Sequence, residues 1–258
     1  MTETQNRKTG TKTLFLSDLH IESDQGPIMD SLLRILHNDA KGADAIYFLG
    51  DVFEAWIGDD DDCPAADKMA EVLSSLSQNG TGIYFMHGNR DFLLGDEFAS
   101  RCGGKLIDDP TVVDLYGQRV VLMHGDSLCT RDSAYMEFRQ QVRDPAWQQA
   151  FLARPLLERM MVAQQLRQQS QAANSNKASD IMDVTHEEVI KSLVKHDVNL
   201  MIHGHTHRPG IHTIRLPEDV NGSTEAHRIV LGAWDQKAWI LEFRPDGYDL
   251  KPVAHQSA

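Results

Sequence analysis

The stretch Ala45-Ile46-Tyr47-Phe48-Leu49-Gly50-Asp51-Val52-Phe53-Glu54 decides the fold. Its first five residues, mostly apolar, aromatic or branched, read as a buried strand, and Gly50-Asp51 follows at the carboxyl end. In an open α/β sheet, ligands bind in the crevice outside such strand ends. Gly50 lets the backbone turn tightly, so the Asp51 carboxylate can point into that crevice and bridge two metal ions. An Asp after a Gly is also ordinary turn chemistry. What the other strand ends carry therefore decides between the two.

Upstream, Thr13 to Ser17 is a short apolar strand, and Asp18-Leu19-His20 follows it at once. Side chains alternate along a strand, so Asp18 and His20 can face one side and offer an oxygen and a nitrogen to one metal. Between the two strands, Ile28, Leu32, Leu33, Ile35 and Leu36 make a helical stripe that stops before Gly42. Strand–helix–strand is the unit of a right-handed parallel crossover. Downstream, Gly82 to His87 reads as a third strand ending in Gly88-Asn89-Arg90-Asp91. Asn89 can offer an amide oxygen to a metal, and Arg90 can clamp a phosphate. Thr111 to Leu115 and Arg119 to Met123 flank Tyr116-Gly117-Gln118 as a hairpin whose second strand ends in His124-Gly125-Asp126. A fifth strand, Asn199 to Ile202, runs into His203-Gly204-His205-Thr206-His207-Arg208-Pro209, the most specific local signal in the chain. Lys68 to Leu76 reads as a helix. The run Asp59 to Asp62 reads as an exposed loop, because repulsion and solvation favour that over a metal trap. Arg228 to Leu231 and Ala238 to Phe243 read as antiparallel strands completing a second sheet.

Together, Asp18, His20, Asp51, Asn89, His124, His205 and His207 form a mixed oxygen and nitrogen ligand set without a thiolate. Such a set suits Mn, Fe or Zn better than Mg or Ca, which prefer oxygen alone. Seven ligands are too many for one catalytic metal. Two metals about 3.5–4 Å apart, sharing a carboxylate, form a hydrolytic pair that activates water and neutralises charge on phosphorus.

With 258 residues, 41% hydrophobic and 24% charged, the chain describes an ordinary globular domain with an insertion. It has no apolar run long enough to span a bilayer. Met1 to Lys12 is polar and lacks an apolar signal core, so it reads as a disordered tail on a cytoplasmic protein. Cys63, Cys102 and Cys129 are too far apart for a zinc knuckle or redox pair. The net charge of -13 argues against nucleic acid as a partner.

The order D-x-H, G-D-x-x-E, G-N-R-D, a strand-end H-G and G-H-x-H resembles the calcineurin-like metallophosphoesterase superfamily, from about residue 13 to the C-terminal strands. Within it, S-D-L-H, L-G-D-V-F-E-A-W-I-G-D-D, H-G-N-R-D-F-L-L-G, M-H-G-D-S-L-C-T and H-G-H-T-H-R-P resemble one branch closely. That branch cleaves the pyrophosphate of UDP-2,3-diacylglucosamine in lipid A biosynthesis. The resemblance implies an α/β fold, a four-layer αββα sandwich with a helical cap insertion, and two Mn2+ per chain. Asp18, His20, Asp51 and His207 would hold the first, and Asp51, Asn89, His124 and His205 the second, with Asp51, Asn89, Arg90 and His124 as the catalytic group. Attack at the α-phosphorus would release UMP and 2,3-diacylglucosamine 1-phosphate. Many members of the superfamily carry a His where this chain has Arg90. A guanidinium stays charged and is a poor proton donor, so Arg90 fits phosphate binding. A general phosphodiesterase or nuclease, or a binding protein on an inactive scaffold, are the alternatives.

Eighty residues separate His124 from His205, far more than a connection needs, so a helical insertion is expected at about 131–180. From Arg131 to Lys177 it holds seven basic residues and four acidic ones, a net +3 against -16 for the rest. Leu156, Leu157, Met160, Met161, Val162 and Leu166 give it a broad apolar face. With the resemblance, this becomes a cap whose apolar interior takes two acyl chains. Its basic exterior would meet anionic headgroups, for peripheral attachment to the inner membrane. The substrate contacts implied are Asn89, Arg90, Asp132, Ser170, Asn174, Lys177 and His205.

Overall fold

A computed structural model of the chain describes residues 11–174 and 183–255, with side chains of the long helix described to residue 168. The first half is a run of crossovers: β1 (Thr13–Leu16), α1 (Pro27–Asn38), β2 (Ala45–Leu49), α2 (Pro64–Gln78), β3 (Gly82–Met86), α3 (Asp96–Arg101) and β4 (Lys105–Ile107). β1 to β4 are mutually parallel, as crossovers require. A hairpin, β5 (Thr111–Leu115) and β6 (Gln118–Leu122), precedes three helices, α4 (Ser133–Val142), α5 (Pro145–Leu152) and α6 (Leu156–Asn174), in the segment read as an insertion. α7 (His186–His196), β7 (Leu200–His203), β8 (Gly210–Val220), β9 (Ser223–Val230), β10 (Lys237–Arg244) and β11 (Gly247–Ala254) complete the chain.

The strands form two sheets, ordered β11-β10-β1-β2-β3-β4 and β5-β6-β7-β9-β8. Alternation explains the layers. In β1 and β2, Leu14, Leu16, Ile46 and Phe48 face outward onto α1 and α2. Phe15, Tyr47 and Leu49 face inward against Leu122, Ile202 and Ile229 of the second sheet. The outer face of that sheet is covered by α7 through Val189 and Leu193. The result is helix, sheet, sheet, helix. In-register aromatic residues stack across β1, β2 and β3, with Phe15–Tyr47 at 5.0 Å and Tyr47–Tyr84 at 4.5 Å between ring centroids. Each such pair adds about 0.5–1.5 kcal/mol beyond burial.

Several details differ from the sequence expectation. Ala238 to Phe243 lies in β10, which pairs antiparallel with β1 in the first sheet, whereas β9 lies in the second and runs parallel to β7. Alternation says which residues share a face, but β10 is buried on both faces, so nothing local tells which sheet it joins. α2 begins at Pro64, ahead of the apolar stripe, because proline at a first helical position has its φ pre-set and needs no hydrogen-bond partner. Lys12, placed in the tail by composition, accepts a hydrogen bond from Asp44 N at 2.8 Å. Of the Asp59–Asp62 loop, Asp59 accepts from Trp56 Nε1 and from Gly95 N and Phe98 N at the start of α3. Among the described residues, no helix is long and apolar enough to cross a membrane.

Candidate active site

The carboxyl ends of β1, β2, β3, β6 and β7 converge on one crevice. The ligand atoms of Asp18, His20 and His207 lie within 4.8 Å of one another, and those of Asp51, His124 and His205 do the same. Asp51 stands between the groups, with Oδ2 3.9 Å from His20 Nε2 and Oδ1 3.8 Å from His124 Nε2. Asn89 Oδ1 is 3.0 Å from His124 Nε2 and 2.8 Å from His205 Nδ1. The structure thus gathers all seven residues singled out by their strand-end positions.

The backbone is bent to do so. Asp18, His20, Asp51, His205 and His207 all adopt φ between 51° and 65°, the left-handed region. Asp and His tolerate that region better than most residues, yet each such residue costs of order 1 kcal/mol or more. Spending it five times in one crevice marks a site where side-chain direction outweighs backbone comfort. Two glycines make room. A Cβ on Gly88 would sit 2.1 Å from Asp51 Oδ1, and one on Gly204 would sit 2.3 Å from Asp18 Oδ2.

A surrounding layer aims these side chains. His20 Nδ1–H donates to Glu54 Oε2 at 2.7 Å, and His124 Nδ1–H donates to the Leu49 carbonyl at 2.9 Å. Both bonds leave Nε2 turned into the crevice. Asp91 is fully buried and accepts from the backbone N–H groups of Val52 at 2.7 Å and Gly88 at 2.8 Å, tying the β2 and β3 turns together. Ser17 Oγ and His205 N donate to Asp18. Glu54 and Asp91 sit inside G-D-x-x-E and G-N-R-D, but spacing alone assigns them no role.

Electrostatics shows what the crevice calls for. Burial lowers His124, but the charges of Asp51, Asp126 and Asp18 outweigh it and push it up to about 9. Burial, then the neighbouring His124 charge, pulls His205 down to about 4. Burial raises Asp51 above the ordinary carboxylate range. Asp18 is held well below that range, since the His207 hydrogen bond and the charges of His207, His124 and His20 outweigh its burial. Two buried carboxylates, Asp18 and Asp51, set among imidazoles are a place for cations. The donors, carboxylate, imidazole and amide oxygen, fit two divalent metals of borderline hardness.

A family model for calcineurin-like phosphoesterases matches residues 11–209, which takes in every strand end described above. The chain belongs to that family. The family carries a dinuclear metal site, and the two facing groups of this phosphoesterase fit one. Among curated proteins it is 53% identical to a Marinobacter nauticus protein over 89% of this chain and 92% of that one. It is 50% identical to a Cellvibrio japonicus protein over 93% and 98% of the two chains. A Serratia proteamaculans protein is 46% identical over 92% and 97%. All three are named UDP-2,3-diacylglucosamine hydrolase.

Beside the metal-competent groups, this phosphoesterase has a cavity of about 470 Å³ roofed by the insertion. Trp56, Phe92, Leu93, Phe138, Phe151 and Leu166 line its apolar part, and His20, Asp51, Asn89, Arg90, Asp132 and His205 line the end toward the metals. Asp132 also caps α4, accepting from Tyr135 N. Arg90 Nη1 is 3.9 Å from Glu54 Oε1. Ser170 and Asn174 stand on α6, but their side chains, and all of Lys177, lie outside the described residues.

The insertion departs from expectation in where its charges point. Arg159 is 2% exposed, pairing with Asp60 and donating to the Ile57 carbonyl. Arg139 and Arg143 turn inward toward Asp126, and Arg167 Nε forms an ion pair with Glu54 Oε1 at 3.0 Å. The apolar face also divides. Leu166, Val162 and Leu156 pack inward, while Leu157, Met160 and Met161 are 67%, 52% and 63% exposed. Helical periodicity identifies a face, but only the partners across space decide which side it meets.

Proposed function

We propose that this chain hydrolyses the pyrophosphate bond of UDP-2,3-diacylglucosamine by water attack on the α-phosphorus. The products are UMP and 2,3-diacylglucosamine 1-phosphate, a step of lipid A biosynthesis. One observation carries the reading: an apolar cavity opens directly onto two facing groups of carboxylate and imidazole, so a substrate of acyl chains beside a pyrophosphate matches both ends. Relatives sharing about half its residues are named for hydrolysing that molecule.

Asp18, His20, Asp51 and His207 hold one Mn2+, and Asp51, Asn89, His124 and His205 the other. When bound, such a pair supplies Lewis-acid polarisation of the phosphoryl oxygens and a nucleophile at neutral pH. The Arg90 fork, beside Glu54 at the cavity wall, binds the phosphates and offsets their charge. It does not act as the acid, because guanidinium does not release a proton. The departing group is a phosphate monoester, a low-pKa leaving group compared with an alcohol, so proton donation matters little. Asp132, Ser170, Asn174, Lys177 and His205, with Asn89, hold the sugar and phosphates, while Phe92, Phe151 and Leu166 shelter the acyl chains.

The enzyme works in the cytoplasm, attached peripherally to the anionic face of the inner membrane. Exposed Leu152, Leu157, Met160 and Met161 support that attachment more than basic charge does, since Arg139, Arg143 and Arg159 are committed inside. Hydrolysis in oxygen-18 water tests the chemistry. Label is expected in UMP, and label in the lipid phosphate refutes attack at the α-phosphorus.

A further inference from the structure

The first cap helix does more than cover the crevice. Tyr135, Arg139 and Arg143 are spaced by four residues, so they lie along one face of α4 and its C-cap. Tyr135 Oη donates to Asp126 Oδ2 at 2.6 Å, and its ring stacks on His205 at 5.9 Å. Arg139 Nε donates to the same Asp126 oxygen at 2.8 Å. Arg143 does something different. Its Nη2 donates to the Gly88 carbonyl at 2.8 Å and reaches the His87 carbonyl at 3.4 Å.

Those carbonyls are a peculiar target for a guanidinium. The Asp126 carboxylate is 3.9 Å away, and Arg143 Nε is buried without a hydrogen-bond partner. Its hydrogen bonds among the described residues therefore go to backbone oxygens. Gly88 immediately precedes Asn89, whose amide oxygen must stand within 3.0 Å of both His124 Nε2 and His205 Nδ1. On its other side Gly88 N is held by Asp91. The peptide units flanking Gly88 are thus gripped from β2 through Asp91 and from the cap through Arg143.

We propose that Arg143 is a positioning residue for Asn89: by holding the Gly88 carbonyl, it places the Asn89 amide at the second metal. This rests on the two-metal reading above. A Tyr135 or Arg139 change removes a hydrogen bond to Asp126, whereas Arg143 stands 3.9 Å from that carboxylate and hydrogen-bonds the Gly88 carbonyl instead, so Arg143 is the informative position.

The test is direct Mn2+ titration of the purified full-length chain by calorimetry and electron paramagnetic resonance, alongside kcat and KM. Wild type is expected to bind two Mn2+; fewer would overturn the two-metal reading itself. In Arg143→Ala, one Mn2+ is expected to weaken about 10–100-fold, the range for losing support behind a metal ligand, while the other is unchanged. The signal of a coupled Mn pair fades at limiting metal, and kcat falls with KM within about twofold. Added guanidinium ion restores the coupled signal, and Arg143→Lys retains part of it through one ammonium N–H. Arg101→Ala, which removes an exposed surface guanidinium paired with Asp67, serves as control. Wild-type affinity for both metals in folded Arg143→Ala would refute the proposal. So would equal weakening of both sites with no recovery by guanidinium or Lys.

Discussion

Glu54 joins His20, Arg90 and Arg167 at one carboxylate, so a change there separates metal support from substrate support. Its Oε2 accepts from His20 Nδ1 at 2.7 Å, while Oε1 is 3.0 Å from Arg167 Nε and 3.9 Å from Arg90 Nη1. Burial raises the Glu54 carboxyl, but the His20 hydrogen bond and the charges of Arg90, His20 and Arg167 outweigh it and hold it below its ordinary value. It is therefore a carboxylate at neutral pH, and the bond to His20 is charge-assisted. Losing such a partner costs about 10–100-fold in metal affinity, or ~1.4–2.7 kcal/mol. Glu54→Gln keeps an oxygen acceptor for His20 and loses the charge, so about tenfold is expected; Glu54→Ala loses both, and about a hundredfold is expected. The assay is turnover against free Mn2+, with bound metal counted in parallel. The activation midpoint should move to higher Mn2+ in both variants, with most turnover recovered at saturating metal in Glu54→Gln. An unmoved midpoint with a lower plateau would mean that Glu54 serves the two arginines rather than His20.

Asp51→Ala should abolish turnover, because both groups lose the carboxylate between them; near-normal turnover in saturating Mn2+ would sink the bridging assignment. Arg90→Ala should lower kcat by about a hundredfold, the scale of losing one donor to developing charge, with metal content held at two per chain. Metal loss in that variant would show that Arg90 instead supports the metal shell. Ala163→Trp places a large side chain in the apolar cavity. Overpacking of about 1–3 kcal/mol should raise KM for the diacyl substrate roughly tenfold or more and leave Mn2+ binding unchanged; an unchanged KM would move the acyl chains elsewhere. Leu157→Asp with Met161→Asp should reduce binding to vesicles of phosphatidylethanolamine and phosphatidylglycerol by at least about tenfold, since a buried Leu or Met is worth about 1.5–3 kcal/mol. Activity on detergent-dispersed substrate should persist, and unchanged vesicle binding would place the membrane contact on another surface.

How much of this was legible in the sequence follows from the range of each interaction. Strand–turn junctions are local, so Asp18, His20, Asp51, Asn89, His124, His205 and His207 could be read as one set from Gly-rich turns after apolar runs. The order of those blocks was enough to place the chain among the calcineurin-like phosphoesterases and to anticipate four layers. Other features depend on what meets across space. Arg159 finds Asp60 and Arg167 finds Glu54 over about a hundred residues of chain, so the basic cap could be counted in sequence but not oriented. β10 carries apolar residues on both faces and joins the first sheet only because β1 presents a free edge beside it. The left-handed backbone at five site residues is likewise imposed by the fold, since no residue type demands it. Sequence determined which chemical groups stand at the strand ends, because side-chain alternation and turn chemistry act over a few residues. Tertiary structure alone decided that Glu54 and Asp91 aim the ligands and that Arg139, Arg143 and Arg159 of the cap face inward, because hydrogen bonds and ion pairs are set by distance in space.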